Sequence, residues 1–401
     1  MLKARTRRQM LSSAGAAAAG AGVATLVAAS PAAAAGTGFF IDASQPPYSV
    51  SAANSDNATN FQTLMAALDT AAGGTAILPS GVLKTSQPII YGPSVDGSGN
   101  PRGGKHLIGN GPFSTIIQKL GSFDLVQMNG RVANAAGSHH LSFCSLRDVS
   151  LNGANFSGRL VDTAYADNIL LRSIDMHSNN GPGIDTTETW DSHFDDIVCD
   201  TVSGAAQPSI WIRTSRATSG FGVSTDTTNV IRLTNIRCES WGAGALNIER
   251  GPSAGAGVPN QIWIDKFKAE SYMASASAIT YASVNAVHLK DFYVFIGALA
   301  NGSTAVDAIS IPGAGISCSL RDGHIGNGSS ATINHGVYIW CGAPVTVDNV
   351  NGSYGAAPTG GSHVDIEGGG PYYLGNIPVN PAGITTPVHV ATGVTVHYAY
   401  P

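Results

Sequence analysis

The sequence repeats one short strand pattern many times, and this repeat limits the folds that the chain can adopt. Each copy has an apolar–x–apolar strand, two polar residues and a second apolar–x–apolar strand, as in 231–238 and 262–269. Eight copies are centred on Leu146, Leu171, Phe194, Leu233, Ile264, Leu289, Leu320 and Val347. Such alternation turns one face of each strand inward, and stacked copies bury those faces together.

A third short strand follows most copies. Its members are 183–186, 209–212, 245–248, 278–281, 308–311 and 336–339. Three short strands per turn are typical of a parallel β-helix, whereas a propeller needs four strands per blade and a sandwich does not repeat one frame. We therefore predict an all-β, single-stranded parallel β-helix. Its irregular period comes from insertions at 213–228 and 249–260 that follow the third strand and overhang one side.

The two polar residues between the first and second strands are predicted to be structural. Asn and Asp tolerate left-handed backbone and form local hydrogen bonds there. The residues concerned are Asp148, Asp196, Asn235, Asp291, Asp322 and Asn349.

Residues 1–35 are predicted to be an export signal. A twin-arginine pattern at 6–11 precedes an apolar stretch at 14–29 and small residues at 30–35 that suit a signal peptidase. No later stretch is long enough to span a membrane. We expect one domain, 36–401, that is secreted by the twin-arginine route and is not held in the membrane after the signal is removed.

The charge balance and the cysteines exclude some partners. The 26 acids outnumber the 21 bases, and removing the signal takes away four bases and no acid. A nucleic acid or an anionic membrane would require a basic face. The five cysteines include no C-x-x-C pair, which argues against a zinc site. Cys199 and Cys238 share one inward column, and the sequence leaves open whether they form a disulfide or remain thiols.

The segment before the repeats carries a family resemblance. Apolar residues at 61, 64, 65 and 68 have helical spacing, and GGTAILPSG at 73–81 and LIGNG at 107–111 follow. This arrangement resembles the start of pectate-lyase-superfamily proteins, which include rhamnogalacturonase-like and epimerase-like domains and phage tailspikes. The resemblance implies a right-handed parallel β-helix with an N-terminal capping helix, a polysaccharide partner, and a monomer or homotrimer.

The catalytic residues of polygalacturonases, which share this fold, are missing. Pro182 occupies the position of that family's first aspartate, and Gln207-Pro208 replaces its aspartate pair. Gly242-Ala243-Gly244 stands where the family has a histidine between glycines, and no R-I-K follows. That mechanism is therefore excluded.

Outward residues of the third strand form the predicted site. Two carboxylates can serve glycoside hydrolysis, an arginine can neutralise a uronate, and an indole offers a flat face to a sugar ring. We predict catalytic roles for Asp185, Glu249 and Arg213. The predicted sugar-binding residues are Trp211, Asn247, Arg250, Glu188 and Tyr338. Asp185 and Glu249 are two rungs apart, or roughly 10 Å at the strand spacing.

A second polar column is predicted on the second strand. It consists of Asp175, Arg237, Lys268 and Tyr293, with His177, Asp200, Glu239 and Glu270 two residues further on. We interpret it as a mixed-charge structural ladder, with calcium binding by its carboxylates as the alternative. No other cofactor or metal is expected.

The leading functional hypothesis is a secreted protein that cleaves an acidic polysaccharide by hydrolysis or β-elimination. The alternative is a non-catalytic glycan-binding or tailspike-like adhesin. The identity of the glycan, the reaction and the oligomeric state are not encoded in any motif of this sequence.

Overall fold

The computed structural model describes residues 39–92, 95, 101–130, 140–203, 207–216, 227–252, 257–300, 303–315, 317–378, 384 and 386–398. The predicted export signal and the start of the predicted domain at residue 36 lie outside these residues and stay predictions. The same holds for 217–226 and 253–256, which are the middle parts of the two predicted insertions.

The described part of the chain forms 25 strands and one helix, α1 (Ala58–Thr70). The strands are β1 (Phe40–Asp42), β2 (Gly74–Ile77), β3 (Gly81–Thr85), β4 (Ile89–Ile90), β5 (Lys105–Ile108), β6 (Thr115–Lys119), β7 (Val126–Asn129), β8 (Leu141–Ser142), β9 (Ser145–Asn152), β10 (Val161–Asp167), β11 (Leu170–Asn179), β12 (Ile184–Val202), β13 (Ile210–Arg213), β14 (Asn229–Glu239), β15 (Leu246–Glu249), β16 (Asn260–Ser271), β17 (Ile279–Ile296), β18 (Ile309–Ala314), β19 (Cys318–Asn327), β20 (Val337–Ile339), β21 (Val345–Tyr354), β22 (Ser362–Ile366), β23 (Tyr372–Leu374), β24 (Thr386–Val390) and β25 (Val396–Tyr398). Within these residues no helix is both long enough and apolar enough to cross a membrane.

The strands stack in parallel ladders, each strand pairing with its counterparts one coil earlier and one coil later. The first and second strands of each coil lie in the ladder from β9 through β11, β12, β14, β16, β17, β19 and β21 to β25. The third strands form another ladder from β4 through β13, β15 and β20 to β24. This arrangement is that of a parallel solenoid.

The predicted repeat frame agrees with the observed register. All eight residues on which the copies are centred are direct partners along the ladder, from Leu146–Leu171 to Leu320–Val347. Each of them is at most 2% exposed, because the period-two alternation turns them all into one continuous core. The predicted strand frame is therefore confirmed.

The predicted structural role of the turn residues is also confirmed. All six adopt left-handed backbone, with φ between 50° and 58°. Asn235 Nδ2 donates to Asp196 Oδ1 over 2.9 Å, and Asn349 Nδ2 donates to Asp322 Oδ1 over 2.9 Å. The short polar side chains thus bend the strand and link neighbouring coils.

Helix α1 buries the predicted apolar face. Phe61, Leu64, Met65 and Leu68 are at most 2% exposed, and the helix packs against β2 and β4 at the N-terminal end of the ladders. Its burial there fits the predicted cap, since an open solenoid end would expose core and strand edges. All five cysteines are buried free thiols, including Cys199 and Cys238, which are ladder partners.

Two inward-facing lysines are features that the repeat pattern does not predict. Lys105 is fully buried, and its Nζ lies 2.5 Å from Asp69 Oδ1 at the end of α1. Lys119 is also fully buried, and its Nζ donates to Ser157 O and Asn179 Oδ1, both at 3.0 Å.

The titration of Lys119 gives a testable pH dependence. Burial lowers its pKa from 10.5 to about 8, against the opposing charge of Asp124. Between these two values the unfolded chain binds the proton and the folded chain does not, so stability rises with pH. A pKa difference of this size between the folded and the unfolded chain changes the free energy of unfolding by about 3 kcal/mol, since each tenfold change in proton affinity contributes roughly 1.4 kcal/mol.

We therefore expect wild type to gain about 3 kcal/mol of unfolding free energy relative to Lys119→Met between pH 8 and pH 10.5. Urea denaturation at several pH values measures the difference. Lys290→Met, which replaces an exposed lysine, is the control and should follow wild type. A constant offset between wild type and Lys119→Met would contradict the expectation.

Candidate functional site

The outward residues of the third ladder are in the register that the sequence predicts. Asp185 on β12 pairs with Trp211 on β13, Trp211 with Asn247 on β15, and the column continues through Thr280 and Ser310 to Tyr338. A second column two residues further on contains Arg213 and Glu249 as direct partners. The ladder therefore brings the predicted residues of β12, β13 and β15 together.

Asp185 is enclosed by three guanidinium groups. Its Oδ1 accepts a hydrogen bond from Arg213 Nε at 3.0 Å, and its Oδ2 accepts from Arg213 Nη2 at 2.6 Å. Arg159 Nε donates to Oδ2 over 2.5 Å, and Arg216 Nη2 lies 3.7 Å from Oδ1. Asp185 itself is 0% exposed.

Two more carboxylates complete this network, which we call the Arg–Asp cluster: Asp124, Asp162, Asp185, Arg159, Arg213 and Arg216. Arg159 Nη1 lies 2.9 Å from Asp124 Oδ2, and Arg216 Nη2 donates to Asp162 Oδ1. Arg216 Nε also donates to Thr187 Oγ1 over 2.6 Å. The three negative charges of the carboxylates are thus balanced by the three positive charges of the guanidiniums, and buried charges require such compensation.

The environment of Asp185 corrects the catalytic role expected for it. Burial alone would raise the pKa of its carboxyl, but the charges of Arg216, Arg213 and Arg159 hold the pKa below its usual value. A carboxylate that is fully enclosed and ionised can neither reach a polymer nor donate a proton. Arg213, 6% exposed and bonded to Asp185 through two nitrogens, is likewise not free to neutralise a uronate.

Trp211, Asn247 and Glu249 form the accessible part of the site, which we call the platform. Trp211 Nε1 donates to Glu249 Oε1 over 2.8 Å, and Asn247 Nδ2 donates to Glu249 Oε2 over 3.1 Å. The Arg213 guanidinium carbon lies 3.7 Å from the centre of the Trp211 ring. All three platform residues are half-buried. The indole is therefore held in one orientation by a cation–π contact and a charged acceptor.

The remaining predicted residues are not all at the platform. Glu188 is buried. Its Oε2 accepts the Thr227 N–H and its Oε1 lies 3.7 Å from His140 Nε2, so both oxygens contact residues of the protein itself. Arg250 follows the platform strand and is half-buried. Tyr338 is three rungs beyond Asn247, or roughly 14 Å at the strand spacing, and stacks on His335 with ring centres 5.8 Å apart.

Four members of the Arg–Asp cluster were missed by sequence reasoning, including Asp124, which lies outside the strands just before β7. Asp162 is the ladder partner of Asp185 on β10, so extending the predicted column by one rung would have found it. Arg159 and Arg216 lie outside the strands, just before β10 and after β13. No strand periodicity places such residues.

The second polar column is a mixed-charge ladder, as predicted. Lys268 Nζ lies 3.1 Å from Glu239 Oε1 and 2.8 Å from Glu270 Oε2, and Arg237 Nε lies 3.3 Å from Glu239 Oε1. The ammonium of Lys268 thus lies between the Glu239 and Glu270 carboxylates and pairs with both.

Comparisons with known proteins support the fold. No protein-family model matches the sequence, and no curated protein sequence matches it. The A-module of the mannuronan C-5 epimerase AlgE6 from Azotobacter vinelandii has a TM-score of 0.58 at 17% identity, covering 86% of this chain and 96% of the module. The surface adhesin PfbA of Streptococcus pneumoniae gives 0.59 at 10% identity, with 87% of each chain covered.

A viral protein, ORF18 of Geobacillus virus E2, is similar as well, with a TM-score of 0.60 at 12% identity over 90% of this chain and 62% of its own. At such identities the likeness concerns the fold. These structures are right-handed parallel β-helices, and the described part of this chain is nearly all β with one helix, in agreement with the predicted all-β class.

Proposed function

We propose that this protein is an exported glycan-binding β-helix protein that contacts a polysaccharide along its third ladder, at the platform. The observation that carries the proposal is the fixed, half-buried indole of Trp211, held between Arg213 and Glu249. Two proteins with this fold support it: an epimerase module named for mannuronan and a streptococcal adhesin. The twin-arginine pattern at 6–11 supports export.

The chemistry of the platform suits a sugar ring. An indole offers an apolar face to the C–H side of a pyranose, and adjacent carboxylate and amide groups accept or donate hydrogen bonds to hydroxyls. Because the contacts of Trp211 are already made, little rotamer entropy is lost when a ligand binds. The guanidiniums of the Arg–Asp cluster are neutralised by its carboxylates, so that cluster is not expected to create a preference for an acidic glycan.

Cleavage is the second candidate function, and the position of Glu249 favours it. This carboxylate is accessible and lies directly beside the indole. Two-carboxylate hydrolysis needs a second accessible carboxyl group, a requirement that the enclosed Asp185 does not meet. Elimination needs one base and a neutraliser of the uronate, for which Glu249 and Arg250 are the candidates.

Binding is tested by titrating the mature protein with alginate, pectin, glucuronan and neutral dextran in a calorimeter. Trp211→Ala is expected to weaken binding of the recognised glycan at least ~10-fold, as truncation of a central aromatic anchor does. Trp211→Phe, which keeps an aromatic ring over Arg213, should retain part of the affinity. The matched control is Trp263→Ala, an exposed indole beside Arg232 on another ladder. Equal losses in the two alanine variants, or no glycan binding at all, would overturn the proposal.

Cleavage is tested on the same glycans by absorbance at ~235 nm for elimination and by new reducing ends for hydrolysis. Glu249→Gln keeps the size of the side chain and one acceptor oxygen, which can still receive the Trp211 Nε1–H, while it removes the charge. If the protein cleaves, this variant should retain binding and lose turnover by about 100-fold or more. Binding without turnover in wild type would eliminate the second candidate and leave the first.

A further inference from the structure

A separate group of ionisable side chains lies near the C-terminal end of the third ladder. Asp365 on β22 pairs with Tyr338 on one side and with His389 on β24 on the other. Glu367 follows two residues after Asp365, while Asp307 and His335 come just before β18 and β20. We call the five residues Asp307, His335, Asp365, Glu367 and His389 the C-terminal cluster.

The ligand atoms of this cluster lie close enough to one another to share one ion. His389 Nδ1 lies 2.5 Å from Asp365 Oδ1 and 3.7 Å from Glu367 Oε1. One ligand atom from each of these three residues lies within 4.8 Å of the other two. His335 Nε2 lies 3.2 Å from the second oxygen of Asp365, so a fourth donor is adjacent.

The charges of the cluster are unbalanced. Among the residues that the structure describes, its three carboxylates form ion pairs only with imidazoles and with no lysine or arginine. Asp365 is only 5% exposed. Burial of a carboxylate requires a compensating positive charge, and an imidazole supplies one only when it is protonated. A cation would remove this imbalance, in contrast to the Arg–Asp cluster, which is already neutral.

His335 is oriented as a metal-binding histidine would be. Its Nδ1 lies 2.9 Å from Asp307 Oδ1, and a hydrogen bond from Nδ1–H to Asp307 would leave Nε2, on the side of Asp365, as the nitrogen that can bind a metal. Carboxylates that hold the far nitrogen of a histidine in this way commonly fix the tautomer and direction of metal ligands.

We propose that Asp365, Glu367 and His389, with His335 beside them, bind a divalent transition-metal ion, for which zinc is the reference. Mixed imidazole and carboxylate donors suit zinc and its neighbours, whereas calcium and magnesium prefer oxygen ligands alone. Binding requires an unprotonated His389 Nδ1, because a metal ion is held by the lone pair of that nitrogen.

The position of the site indicates what the ion would do. It would join β24 to β22, and every residue of β24 is half-buried or exposed, so little core holds this last strand of the ladder. A metal ion there would stabilise the C-terminal end of the solenoid, the end opposite α1.

The test is calorimetric titration of the metal-free, purified mature protein with zinc chloride, together with thermal unfolding in zinc or EDTA. We expect one ion per chain, and a higher unfolding temperature with zinc that EDTA reverses. His389→Ala and Glu367→Gln change exposed positions and should each weaken binding at least ~10-fold. Asp307→Asn, a positioning variant, should weaken it about 10–100-fold without removing a ligand.

His397→Ala is the matched control, because it removes an exposed histidine on the neighbouring strand β25 that lies outside the cluster. It should bind zinc as wild type does. Absence of binding at ~1 mM zinc would overturn the proposal, because a structural site has a dissociation constant far below this concentration. So would an equal loss in His397→Ala, or preferential binding of calcium, which would mean that the imidazoles are not ligands.

Discussion

Replacement of Asp185 with Asn is expected to lower the free energy of unfolding by about 3–5 kcal/mol, the cost of removing one partner from a buried ion pair. Asn has the same shape but no charge. Arg159 would keep Asp124, and Arg216 would keep Asp162. Arg213, whose Nε and Nη2 both bond to Asp185, would remain buried beside a neutral amide. Equilibrium urea unfolding of the purified variant measures the loss.

Asp195→Asn is the matched control for this prediction. Asp195 also pairs with an arginine across neighbouring strands, with Arg172 Nε at 3.3 Å, but here the arginine is exposed and the carboxylate only half-buried. Exposed pairs contribute up to about 1 kcal/mol, so the control should stay close to wild type. If Asp185→Asn were as stable as wild type and yet inactive on a glycan that wild type cleaves, Asp185 would be catalytic after all and our reassignment would be wrong.

Lys105→Met should produce a second loss of about 3–5 kcal/mol. The Lys105 ammonium lies 2.5 Å from Asp69 Oδ1 and donates to Tyr91 O over 2.6 Å and to Arg102 O. It therefore ties the end of α1 to β5 and to the loop before it. Removing the ammonium leaves the buried Asp69 carboxylate without this counter-charge, so the helix that covers the N-terminal end should loosen first.

Two further variants make the Lys105 prediction specific. The double variant Lys105→Met with Asp69→Leu should regain part of the loss, because an apolar pair carries no desolvation penalty. Lys268→Met is the exposed control, since Lys268 pairs with Glu239 and Glu270 near solvent, and it should cost about 1 kcal/mol or less. A double variant less stable than Lys105→Met alone would show that Asp69 has another essential contact.

The register of the ladders was predictable because it depends on a local rule. Period-two alternation fixes which residues of a strand face the core, and the shared frame fixes which residues of successive coils become partners. That is why Trp211, Asn247 and Glu249 could be placed beside one another from the sequence alone. The left-handed turn residues, such as Asp196 and Asn235, were predictable from another local rule, because Asn and Asp tolerate that backbone conformation between two strands.

The solvent exposure of each outward residue was not predictable in this way. Asp185 and Glu249 both point outward from the third ladder, yet one is fully enclosed and the other is half-buried. The difference comes from Arg159 and Arg216, which enter from segments outside the strands. Similarly, the C-terminal cluster combines Asp307 and His335, which precede their strands, with residues of β22 and β24.

By itself, then, the sequence determined the repeat, the stacking of coils and the column on which the platform lies. Only the tertiary structure decided that Asp185 anchors a neutral ion-pair network and that Trp211 and Glu249 remain accessible. It also decided that Asp365 and His389 come together with no lysine or arginine partner among the described residues. The physical reason is that strand facing follows from local alternation, whereas pairing and burial of charge depend on which distant segments fold over each face.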